Sequence, residues 1–65
     1  MIVKDVVLKT SQFFKEKGLS SPRLDAEILI ASGLGWPRIQ IYTKFDYPLS
    51  EQELKDCREL VRRRS

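Results

Sequence analysis

The stretch that most constrains this chain is PRLDAEILIASGLG, residues 22–35. Pro22 suits the first position of a helix, where its missing N–H is not needed, and Ser21 stands before it as a candidate cap. Asp25 and Glu27 fall near the positive end of the helix dipole. Leu24, Ala26, Ile28, Leu29, Ile30 and Ala31 then cover most of the helix circumference. A helix that is apolar nearly all round is one that other elements wrap. The stretch therefore predicts a central helix over 22–34, ending between Gly33 and Gly35, with the rest of the chain packed about it.

The flanking segments are consistent with that demand. Residues 2–17 place Val3, Val6, Val7, Phe13 and Phe14, with Thr10 among them, near helical spacing, and Ile2 and Leu8 broaden the stripe. Cationic residues and then Gly18 form a helix stop. WPRIQIYTKF predicts a short helix over 37–43; IQIY also suits a strand, but the chain offers no second strand to pair with it. The last segment has the clearest local signal. Ser50 and Glu53 form a capping box inside a hydrophobic staple of Leu49 and Leu54. Leu54, Cys57, Leu60 and Val61 follow as a buried stripe, while Glu51–Lys55 and Glu59–Arg63 stand at pairing distance on the other side. The expected fold class is all-α, a small bundle of about four helices over 2–17, 22–34, 37–43 and 51–64.

Sixty-five residues make at most one domain. No run approaches the roughly 20 apolar residues that span a bilayer, and the N-terminus lacks a secretory pattern. A soluble, cytoplasmic monomer is expected. One cysteine excludes an internal disulfide and a multi-cysteine zinc site, and the chain has no histidine to serve as general base or metal ligand. A net charge of +3 permits an acidic partner without demanding one.

No catalytic, cofactor-binding or metal residue emerges. The hydroxyls lack a base to activate them, and Cys57 on an apolar stripe reads as a core residue. Asp25 and Glu27 point to nearly opposite helix faces, so they suit structural pairing better than shared catalysis. Arg23, Arg58 and Arg62 are their candidate partners. Arg23, Asp25, Glu27, Ser50 and Glu53 are thus structural candidates, whereas Trp36 and Arg38, flanking Pro37, are candidates for partner binding. The closing ELVRRRS has two readings, a basic grip on nucleic acid or a solvated helix end. Its arginines fan round the helix rather than forming one stripe, which weakens the first.

The order SPRLDAEILI, LGWPRIQIY, PLSEQE and LVRRR resembles the N-terminal domain of the HemK/PrmC family, which methylates the glutamine of the Gly-Gly-Gln motif of peptide-chain release factors. The most specific portion runs from Pro22 to Leu29. The resemblance implies an N-terminal helical substrate-recognition domain over 1–65, with the catalytic methyltransferase domain absent from this chain. It implies a release factor as partner, and S-adenosylmethionine as cofactor of the parent enzyme but none here. In that family the arginines lead into a Gly-Glu-Pro segment, so Ser65 is expected to be a cut edge. The motifs that hold S-adenosylmethionine and the Asn-Pro-Pro-Tyr motif do not occur, so no catalytic residue carries over. Two alternatives stand beside this: a free-standing basic adaptor for nucleic acid, and a domain that only supports the catalytic domain.

Overall fold

The computed structural model describes residues 1–64; the reading of Ser65 as a cut edge falls outside them. Four helices follow in chain order: α1 (Val3–Glu16), α2 (Pro22–Leu34), α3 (Ile39–Thr43) and α4 (Glu51–Arg64). The short third helix starts at Ile39 rather than at Pro37, because the turn before it is closed by Gln40 and Ile41 N–H groups donating to the carbonyls of Pro37 and Arg38. IQIY is helical, and among the described residues no strand is formed.

Helix α2 packs most extensively on α1, next on α4 and least on α3, so it is the central element. The core gathers Val3, Val6 and Val7 of α1, Ile30 and Ala31 of α2, Ile41, Leu49 and Cys57. Yet α2 is not wrapped all round. Leu24 and Ile28 are 42% and 50% exposed, since three neighbours leave one arc of the helix open. Leu8 is likewise exposed, lying off the α1 stripe, and Phe13 is only half-buried.

The ends of the helices are satisfied in different ways. At Gly18 and Gly35 the chain enters the left-handed region, with φ of 84° and 71°. Beyond each, an N–H reaches back over the last turn: Leu19 donates to Phe14 and Trp36 donates to Ala31. This double-bonded ending, together with a residue free of Cβ strain, stops both helices sharply. At the start of α1 no side chain caps the helix. Instead Val3 and Lys4 donate their N–H groups to the carbonyls of Tyr47 and Phe45, both at 3.0 Å, and Leu49 N–H donates to Met1. The loop before α4 is therefore the cap of α1, and it ties the start of the chain to the start of α4.

Candidate functional site

The sole buried carboxylate among the described residues is Glu27 of α2. Glu27 is 3% exposed, and burying a charge is expensive unless it is paired and hydrogen-bonded. Arg23, one turn earlier, donates Nε to Glu27 Oε2 at 2.9 Å, and the Tyr42 hydroxyl on α3 donates to Oε1 at 2.5 Å. The bond to Glu27 also raises the Tyr42 phenol above the usual tyrosine range. Thus α3, too short to persist alone, is tied to α2 by a charged hydrogen bond. Phe45 lies under the Arg23 guanidinium, 5.9 Å from it, on the same side.

Asp25 faces another way, as its spacing from Glu27 requires. It meets Arg64 of α4 at 3.7 Å, rather than Arg58 or Arg62. The reason is helical phase: Arg62 and Arg64 are about 200° apart on α4, so only one flank faces α2. At the other end of α4, Ser50 and Glu53 exchange bonds. Glu53 N–H donates to Ser50 Oγ at 3.1 Å, and Ser50 N–H donates to Glu53 Oε1 at 2.9 Å. Leu49 is buried beside them, and Leu54 packs against the core.

Cys57 is 1% exposed, and burial pushes its thiol up to about 11, which disfavours the thiolate that a nucleophile needs. Among the described residues no three His, Cys, Asp or Glu side chains converge on a point that could hold a metal ion. No described helix is long and apolar enough to cross a membrane.

Trp36 and Arg38 are separated by the structure into two environments. Trp36 packs against the core, edge-on to Tyr47 with ring centroids 5.1 Å apart, while Arg38 is exposed and makes no ion pair among the described residues. Lys44 lies over both rings, 5.3 Å from Trp36 and 5.7 Å from Tyr47. Lys44 and Tyr47 were not legible as site residues, because it is the fold of α3 and the loop after it that turns the chain back onto Trp36.

The terminal arginines are engaged at home. Arg62 donates to both carboxylate oxygens of Glu59 at 2.6 and 2.7 Å, Arg63 lies 3.5 Å from the same carboxylate, and Arg64 meets Asp25. The hydrogen bond from Arg62 holds the Glu59 carboxyl below its ordinary range.

A groove of about 280 Å³ opens between α1 and α4. Val6, Thr10 and Phe13 line one wall and Val61 the other, with Arg58 and Arg62 at the rim. A smaller hollow of about 150 Å³ adjoins it, sharing Val6, Thr10 and Arg58 and adding Lys9.

A family model described as the PrmC N-terminal domain matches residues 5–65. The release factor glutamine methyltransferase of Rhodopirellula baltica is 54% identical over 55 residues, which is 85% of this chain and 19% of that protein. That of Geobacter sulfurreducens is 40% identical over 63 residues, 97% of this chain and 22% of that protein. That of Leptospira interrogans is 42% identical over 57 residues, 88% and 20% respectively. The chain spans about a fifth of the length of these curated relatives. No solved structure matches it.

Proposed function

The chain belongs to the PrmC N-terminal domain family, and from that premise we propose that it is the substrate-recognition domain of a release factor glutamine methyltransferase. The observation that supports this is the match of nearly the whole chain to the family. The whole enzyme would transfer a methyl group from S-adenosylmethionine to the side-chain amide of the glutamine in the Gly-Gly-Gln motif, in the cytoplasm where release factors act. The domain would raise the local concentration of the protein substrate at a catalytic domain outside this chain.

S-adenosylmethionine itself does not fit the described residues. The groove between α1 and α4, about 280 Å³, is at the lower bound of the roughly 300–1,000 Å³ of small-molecule sites. Neither hollow carries a carboxylate for the ribose hydroxyls or for the cationic sulfonium and ammonium groups. On this reading the chain's own contribution is contact.

Trp36 and Arg38 are the proposed point of that contact, with Arg38 the exposed member. Trp36 is the single tryptophan, so its fluorescence reports both folding and binding. The test is a titration of the 65-residue chain with a bacterial release factor, followed by that fluorescence and by amide chemical shifts. Saturable binding that weakens in Arg38→Ala, with the fold unchanged, is expected. Absence of binding at about 1 mM, equivalent to about −4 kcal/mol, would overturn the recognition role and favour a domain that only supports its catalytic neighbour.

A further inference from the structure

We propose that the groove between α1 and α4 docks an acidic amphipathic segment of a protein partner, a large apolar side chain with carboxylates beside it. On the reading above, which this inference rests on and extends, the segment belongs to the release factor. Both helices pack on α2 much more closely than on one another, which leaves their seam open on the side away from it. The half-buried Phe13 and Val61 face that seam, and with Val6 they offer an apolar floor. The space, about 280 Å³, is enough for one or two apolar side chains. The adjoining hollow continues the floor along α1, as expected for a helix that lays successive apolar anchors into a groove.

The charge at the rim selects the occupant. Arg58, Arg62 and Lys9 border the two hollows, and no Asp or Glu lines either one. The four arginines of α4 differ in a telling way. Arg62 and Arg63 sit on Glu59 and Arg64 meets Asp25, but Arg58 has no carboxylate partner among the described residues. Arg58 is also the one cation shared by both hollows. An unpaired guanidinium above an apolar floor is complementary to a carboxylate adjoining a buried apolar side chain. A nucleic acid would meet the cations but leave the floor uncovered.

The test uses three probes against the full 65-residue chain and against the double variant Lys9→Glu with Arg58→Glu. Both residues are exposed and make no ion pair among the described residues, so the variant keeps its helical circular dichroism. The probes are a bacterial release factor, a synthetic helical peptide with Leu and Phe at one-turn spacing flanked by Asp and Glu, and a single-stranded RNA oligonucleotide. Release factor and peptide are expected to shift the Val6, Thr10 and Val61 amides and to lose affinity about tenfold or more in the variant. Release-factor binding that is equal in both chains overturns the groove and leaves the proposed function standing. A captured peptide with a silent release factor supports the groove and overturns the proposed function. Displacement of the peptide by the RNA, or failure of both protein probes to move the groove amides, overturns the inference.

Discussion

Gly33 offers a sharp test of how α2 and α4 meet. A Cβ at this position would come within 2.9 Å of Leu60 Cδ1, and within 3.5 Å of Cys57 Sγ. Two opposing terms follow for Gly33→Ala. Replacing a helical glycine by alanine stabilises by roughly 0.5–1 kcal/mol through backbone entropy. Overpacking costs about 1–3 kcal/mol, and here the low end applies because Leu60 is half-buried and its terminal methyl can turn away. The net effect in the wild-type background is therefore close to zero or mildly destabilising. In a Leu60→Ala background the clash is gone, the Cys57 contact is ordinary van der Waals distance, and the same substitution should stabilise by roughly 0.5–1 kcal/mol. The coupling between the two sites is then about 1 kcal/mol or more, which a urea-denaturation cycle of the four chains, read by Trp36 fluorescence, resolves. Equal effects of Gly33→Ala in both backgrounds, within about 0.3 kcal/mol, would refute the close approach of the helices at this point.

Other outcomes follow from the same geometry. Ser50→Ala removes one half of the capping box and should cost about 1 kcal/mol, seen as a fall of about 4–8 °C in Tm; a shift below about 1 °C would show that the cap is not formed in solution. The Cys57 thiol should resist a soluble disulfide reagent at neutral pH and react at the rate of chain opening, so that urea accelerates labelling; fast labelling of the native chain would contradict its burial. Tyr42 gives an alkaline signature. Its folded value is raised, so the stabilisation is complete below about pH 10, where the unfolded phenol ionises, and is lost as pH rises through the folded value. Tyr42→Phe should flatten that part of the stability–pH curve, and an unchanged curve would remove the bond to Glu27. Glu59 acts at the acid end with opposite sign: its value is lowered, so its small contribution is present above the ordinary carboxylate range and fades as pH falls through the folded value, more weakly in high salt.

What could be read from the chain, and what could not, divides by the distance over which a signal acts. The start of α4 was legible because Ser50 and Glu53 cap one another within a single turn. The start of α1 was not, because its cap is made of the Tyr47 and Phe45 carbonyls, and a backbone acceptor leaves no mark in the side-chain sequence. Gly35 was legible as a stop. Gly33 was read the same way, although it works as the place where α4 comes close to α2. The apolar run of α2 predicted a centre and was over-read at Leu24 and Ile28, since hydrophobicity shows that a side chain can be buried but not whether a small chain has neighbours enough to bury it. Trp36 could be singled out by type, whereas the groove could not. Its walls come from α1 and α4, which only the common packing on α2 brings side by side.

Pairing, rather than charge density, then decides where a partner gains most. The densest positive charge in the chain is Arg62 to Arg64, and sequence alone draws attention to it. In the folded domain those side chains are engaged with Glu59 and Asp25. A partner that recruited them would have to break or share existing contacts, and exposed ion pairs return little for such an exchange. Arg23 and Tyr42 are committed to Glu27 in the same way. Arg58, Lys9 and Arg38 have no such commitment among the described residues. Of these, Arg58 and Lys9 also border an apolar floor that water covers poorly, where a carboxylate beside a buried side chain would join charge pairing to hydrophobic burial. That combination makes the α1–α4 seam a stronger candidate for recognition than the arginine run.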